Sequence, residues 1–269
     1  MSLSKEELER YSRHIILKEI GYSGQKKLSG SSVLIIGAGG LGSPAALYLA
    51  AAGIGHIGIM DGDTVDRTNL QRQVIHTTPD LGRNKAESDA ETMAAINPYI
   101  HVTAIPEFLT AENGRKLVSQ YDFVLDGTDN FTAKYLINDA CVLEKIPYVY
   151  GGILRFHGQI MTILPGQSPC YRCVHPEPPS PGVVPTCSQA GVVGAVAGVI
   201  GSLQALEAVK YLTGAGQLLS GRLLMVDALT MEMKTIELCD RDEECPVCSD
   251  SPTITELREE NTELCGKGQ

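Results

Sequence analysis

Val33-Leu34-Ile35-Ile36 is apolar at every position. An unbroken run this short predicts a strand buried on both faces. It enters Gly37-Ala38-Gly39-Gly40-Leu41-Gly42, and the alanine-rich segment from about Leu41 to Ala52 predicts a helix that Gly53 ends. The alternation then repeats. Strands are predicted over 56–60, 101–105, 121–125 and 147–150, with helices over about 82–96, 110–119 and from about 130 to Glu144. Strands separated by helix-length segments imply a parallel, doubly wound sheet. Ser4 and Glu7 form a capping box, so a helix is predicted from there to about Ile20, stopped by Gly21.

After Gly151 the pattern changes. Residues 159–164 predict a strand, and the proline-rich 165–186 a loop. A long helix is predicted over about 190–212. The runs 222–226 and 232–238 predict an antiparallel pair, followed by a short polar tail from Cys239. The expected fold class is therefore α/β: a Rossmann-like, mostly parallel sheet continued by antiparallel strands, with helices on both faces. One domain is expected over 1–269, with an N-terminal helical arm (1–30), a nucleotide-binding half (31–150) and a second half (151–269).

Composition narrows the classes. The chain has 269 residues, 43% hydrophobic and 20% charged, which is enough for a real core. Its net charge of -10, with no Lys/Arg cluster, argues against nucleic acid. The longest apolar stretch, 190–203, is broken by four glycines and too short to span a bilayer comfortably, so no membrane association is expected. The N-terminus is a polar helix start and not a signal peptide, which places the chain in the cytoplasm. There, eight cysteines point to metal or catalysis before disulfides.

Several positions carry chemistry. Gly37, Gly39 and Gly42 form a GxGxxG loop between strand and helix, where the backbone can approach phosphates. Asp61 ends the next strand, where an acid can bind ribose hydroxyls. Arg72 and Lys85 can reach a triphosphate, and Asp129, past a strand end, suits magnesium. Cys170-x-x-Cys173 and Cys245-x-x-Cys248 have the spacing of a closed, structural four-thiolate zinc site. Cys187, just before the glycine-rich helix, is a candidate nucleophile or a small buried residue. Arg10 and Arg13 share one face of the first helix, which by itself reads as a solvated surface.

Taken together, Arg10-Tyr11-Ser12-Arg13, the Gly37–Gly42 loop, Asn69-Leu70-Gln71-Arg72-Gln73, Lys85, Thr128-Asp129-Asn130, Cys170-Tyr171-Arg172-Cys173, the Cys187 segment and 201–210 resemble a known family. They are similar to the ThiF/MoeB/HesA-type adenylyltransferases of molybdopterin and thiamine biosynthesis, relatives of ubiquitin-activating enzymes. The resemblance covers nearly the whole chain. It implies ATP-dependent adenylation of the C-terminal glycine carboxylate of a small ubiquitin-like sulfur-carrier protein ending in Gly-Gly. It implies Gly40 beside the nucleotide and Asp61 on the ribose. Asp63, Thr68, Asn69, Leu70, Gln71, Arg72 and Lys85 would line the nucleotide, with Asp129 on magnesium and Asn130 beside it. It also implies a homodimer in which Arg13 enters the partner's site, and structural zinc on the four cysteines. Two other readings stay open: an NAD-dependent oxidoreductase using the glycine loop and Asp61, and a non-catalytic carrier-binding scaffold. The sulfur donor, the carrier and the pathway are not specified.

Overall fold

The computed structural model describes residues 2–179 and 190–259. Every expected strand forms: β1 (Ser32–Ile36), β2 (His56–Met60), β3 (His101–Ile105), β4 (Phe123–Asp126), β5 (Tyr148–Leu154), β6 (His157–Ile163), β7 (Arg222–Asp227) and β8 (Glu232–Glu237). They make one sheet in the order β3-β2-β1-β4-β5-β6-β7-β8. Neighbours from β3 across to β5 are parallel. Neighbours from β5 to β8 are antiparallel. The connection order reverses between β1 and β4, which opens a crevice at their carboxyl ends.

The helices are α1 (Lys5–Arg10), α2 (Ser12–Ile15), α3 (Gly21–Ser29), α4 (Gly42–Ala52), α5 (Lys85–Ile96), α6 (Gly114–Val118), α7 (Phe131–Glu144), α8 (Tyr171–Val174) and α9 (Gly194–Thr213). β1 shows why its run is apolar throughout. Leu34 and Ile36 enter the core shared with α7, whereas Val33 and Ile35 enter the opposite core, shared with α4, α5 and α9. A strand covered by helices on both sides has no solvent face to make polar.

Some boundaries differ from the sequence reading. The helix expected over 4–20 breaks at Tyr11, whose side chain is buried. Asn97, at the end of α5, donates to the Tyr11 hydroxyl (2.8 Å) and to the Ala50 carbonyl (2.7 Å). That tertiary network stops α1 where local periodicity would have continued it. Gly21, at φ +60°, opens α3 and does not merely close a helix. The proline-rich loop contains the short α8, and the long helix starts at Gly194 and not near Ala190.

α9 is the one described helix long and apolar enough to cross a membrane. Here it lies against α4, β4, β5 and β6. Its close approach to α4 requires glycine. A Cβ at Gly201 would stand 2.3 Å from the Leu41 carbonyl oxygen and 2.6 Å from Pro44 Cγ. Gly201→Ala therefore forces the two helices apart. Overpacking of this kind costs about 1–3 kcal/mol, and urea unfolding should show a lowered midpoint. An unchanged midpoint would mean that the α4–α9 contact is less tight than described.

Candidate functional site

The crevice between β1 and β4 opens into a cleft of about 1030 Å³. Its floor is two glycine turns pressed together. Gly37 turns at φ +98°, a conformation that side chains resist. A Cβ at Gly42 would stand 1.9 Å from the Gly37 carbonyl oxygen, and one at Gly127 would stand 2.6 Å from it. Gly42 therefore serves close packing, while Gly37, Gly39 and Gly40 line the cleft. α4 begins at Gly42, next to the cleft-lining Gly40 and Leu41, so the positive end of its dipole faces the cleft.

Asp61, at the end of β2, organises the opposite wall. Its Oδ2 accepts from the Ala38 amide (2.9 Å) and its Oδ1 from the Asp63 amide (2.8 Å). Lys85 opens α5, with Nζ 3.1 Å from Asp63 Oδ2 and 4.0 Å from Asp61 Oδ2. The Lys85 side chain is 9% exposed, whereas Asp63 is 59% exposed. The carboxylate is free to turn to solvent while the ammonium stays at the cleft.

The polar segment after β2 is a folded element and not a slack loop. Thr68 donates to Asp66 from both its amide and its hydroxyl. Those bonds hold the Asp66 carboxyl below the usual carboxylate range. Asn69 caps back onto the Asp66 amide (3.0 Å). Arg72 donates to the Thr68 carbonyl (3.0 Å), and its stem lies against Gly40. α9 seats this segment from behind, since a Cβ at Gly194 would stand 2.3 Å from the Gln71 carbonyl oxygen.

The cleft thus brings together Gly37, Gly39, Gly40, Asp61, Asp63, Asn69, Arg72, Lys85, Asp129 and Asn130. Asn130 caps α7 by accepting from the Ala133 amide (2.8 Å). Asp129 is exposed at the rim and has no ion-pair partner among the described residues. Thr68, Leu70 and Gln71 are not cleft-lining; the Thr68 carbonyl accepts from Arg72, and the Gln71 carbonyl packs close against Gly194. Arg13 is exposed on α2 and does not line its own chain's cleft. The shared helix face expected for Arg10 and Arg13 is split between α1 and α2, and Arg10 is spent on the Ile96 carbonyl (3.0 Å). Cys187 lies outside the described residues.

Sequence reasoning missed Lys134. It sits on the first turn of α7, almost buried, and donates to Asp126 Oδ2 (2.9 Å) and to the carbonyls of Thr128 (3.0 Å) and Gly151 (2.7 Å). It ties the end of β4, the Asp129 turn and β5 together. The available signal was a lysine at i+4 from Asn130 and i−4 from Asn138, in a helix whose charged residues are otherwise few.

The four cysteines converge on the other side of α7. Their sulfurs lie within 4.8 Å of one another. Cys170–Cys245 is 3.6 Å, Cys170–Cys173 is 3.8 Å and Cys173–Cys248 is 3.4 Å. A zinc with sulfurs at ~2.3 Å in a tetrahedron sets its edges at about 3.8 Å, so the donor set fits that ion. Arg172, between the first two cysteines, makes a buried two-pronged pair with Asp139 of α7 (2.8 and 2.7 Å). Neighbouring Asn138 accepts from the Tyr171 amide (2.8 Å). The knuckle is thereby tied to α7 by bonds that do not involve the cysteine sulfurs.

Comparison with known proteins agrees with this geometry. The sequence profile of the ThiF family matches residues 11–247. The chain is 46% identical to the sulfur carrier protein adenylyltransferase of Thermus thermophilus, over 96% of each protein. It is 47% identical to the adenylyltransferase and sulfurtransferase MOCS3 of Culex quinquefasciatus, where it covers 95% of itself but only 58% of that longer protein. The crystal structure of Escherichia coli MccB superposes with a TM-score of 0.80 at 25% identity, covering 96% of this chain and 76% of that one. The chain belongs to the ThiF family.

Proposed function

We propose that this protein uses ATP to adenylate the C-terminal glycine carboxylate of a small ubiquitin-like sulfur-carrier protein. The observation that carries this reading is the gathering of Arg72, Lys85 and Asp129 around a glycine-floored cleft at the sheet's switch point. A carboxylate oxygen of the carrier attacks the α-phosphorus of ATP. A new O–P bond forms, the bond to the bridging oxygen breaks, and pyrophosphate leaves with its electron pair. The carboxylate is already ionised near neutral pH, so no general base is needed. What remains is alignment and charge neutralisation. Arg72 supplies a guanidinium fork and Lys85 a point charge. Asp61 would accept from ribose hydroxyls. Asp129, with Asn130 beside it, would hold magnesium, which neutralises phosphate oxygens. An NAD-dependent reading uses only the glycine floor and Asp61 and leaves the cationic wall without a task. A passive scaffold would have no need of it either.

The whole chain serves as one adenylation unit, with the arm at 1–30, the nucleotide half at 31–150, and the carrier-binding and zinc half at 151–269. Reduced cysteines in a metal cage suit the cytoplasm. Two copies act together. Ile16, Leu17, Tyr48, Val74, Val199 and Leu206 are large apolar side chains left exposed, which supports a covered face. Arg13, absent from its own cleft, would complete the partner's. Cys187 is a candidate acceptor for the acyl group after adenylation, and not a participant in it.

ATP–pyrophosphate exchange with a panel of carriers ending in Gly-Gly tests the reaction. Exchange should appear with one carrier and fall at least about a hundredfold in Arg72→Ala and Asp129→Ala. Cys187→Ala should retain it. Background exchange with every carrier would discard adenylation. Mixing Arg13→Ala with Asp129→Ala chains should restore activity to about a quarter of wild type, because only heterodimers hold one intact site. No recovery would remove the two-chain site.

Purified protein should contain one zinc per chain by elemental analysis. Cys173→Ser should lose it together with thermal stability. Full stability without metal would reject a structural cage. Lys134→Met strands the Asp126 carboxylate in the interior, and should cost about 3–5 kcal/mol in urea unfolding. A near-neutral result would show that Asp126 finds another partner.

A further inference from the structure

His76 and Asp89 stand apart from the groups assigned above. His76 closes the segment that carries Asn69 and Arg72. Asp89 lies on α5 one turn beyond Lys85, on the same face. Both side chains are fully inaccessible, and His76 Nδ1 is 3.3 Å from Asp89 Oδ1. The imidazole also meets Ser88 Oγ at 2.9 Å and faces the backbone of Ala38, inside the glycine loop. One side chain thereby touches both walls of the nucleotide cleft. Neither Asp89 oxygen, nor His76 Nε2, nor Gln73 Oε1 has a hydrogen-bond partner among the described residues.

A bare carboxylate sealed in this way is too costly to persist. Burial pushes the Asp89 carboxyl well above the usual range, and burial pushes the His76 imidazole below its own. The charged groups facing the pair are Asp61 from the end of β2, Asp80 from the following loop, and Lys85 from α5. Asp80 is itself paired with Arg83, which also holds Glu91. Only Lys85 is cationic and turned to the cleft. A negative Asp89 would add a further carboxylate to the two, Asp61 and Asp63, that already compete for that ammonium.

We infer that His76 and Asp89 are positioning residues for the nucleotide site, packed as a neutral pair whose buried proton leaves Lys85 available to phosphate. The inference rests on the ATP reading of the cleft. With the proton in place the pair is neutral, and its ring braces the glycine loop and the Arg72–Gln73 segment against α5. Loss of the proton leaves a buried anion one helical turn from Lys85. Nucleotide binding therefore weakens as pH rises through the pair's titration. Asp89→Asn keeps the shape and cannot lose the proton.

The test has two arms on the purified, metal-loaded protein. The first needs no nucleotide: thermal unfolding of wild type and Asp89→Asn from about pH 6 to about pH 9. The raised Asp89 value means the folded chain holds a proton that the unfolded chain has released. That contribution is present at low pH and is lost as pH rises. The variant lacks it, so its midpoint should gain on wild type by about 3–5 °C per pH unit until the folded pair titrates, and no further above that point. Parallel curves would overturn the buried proton. The second arm is the affinity for a non-hydrolysable ATP analogue over the same range. It should fall several-fold toward high pH in wild type and stay flat in Asp89→Asn, with His76→Gln weaker throughout. Diverging stability with identical affinity profiles would overturn the positioning role and leave a purely structural pair. Absence of nucleotide binding at every pH would instead overturn the reading of the cleft, and the positioning role with it, while the first arm still reports on the proton.

Discussion

The structure depends on a backbone contact: the turn after β1 and the turn after β4 meet with no side chain between them. Gly37, Gly42 and Gly127 leave space for one carbonyl oxygen and nothing more. Because that contact is so close, α4 can start directly above β1 and turn the positive end of its dipole toward the crevice. Because β1 and β4 are neighbours and their connections depart in opposite directions, the crevice exists. The candidate side chains are then placed by elements that leave its rim: α5 carries Lys85, the capped segment after β2 carries Arg72, and the turn between β4 and α7 carries Asp129, with Lys134 bonded to the Thr128 carbonyl of that turn.

The strands were legible because burial on both faces leaves an unmistakable apolar run, as at Val33–Ile36. The antiparallel continuation was legible from the loss of helix-length spacing after Gly151. The four cysteines were legible because metal coordination demands a fixed residue type at a fixed spacing. The N-terminal arm was not, because its break is set by a hydrogen bond from Asn97 to Tyr11, 86 residues away in sequence. Local periodicity carries no trace of such a partner.

Within the site, charged residues in the long polar segment announced themselves by their number and by their place after a strand. Lys134 did not, since one lysine on a helix face reads as a solvated charge until the fold buries it against Asp126 and Gly151. Gly42 was counted with the phosphate-facing glycines but turns inward, because motif spacing cannot distinguish a glycine needed by a ligand from one needed by a neighbouring backbone. The pair at His76 and Asp89 escaped for the opposite reason. A histidine in a loop and an acid in a helix are unremarkable until both are sealed in the same small volume.

The cysteine cage also bears on the order in which the molecule is made. Each of its cross-links joins residues 75 positions apart, Cys170 to Cys245 and Cys173 to Cys248. The first knuckle is anchored to α7 through Arg172 and Asp139 and can be ready as soon as that part of the chain leaves the ribosome. The second knuckle arrives only after α9, β7 and β8 have been synthesised. The cage can thus close only after the strands and helices that build the cleft have all been synthesised. Were a metal ion held there, its shortage would be felt as newly made chains with a built cleft and an unattached tail, and not as a failure to begin folding.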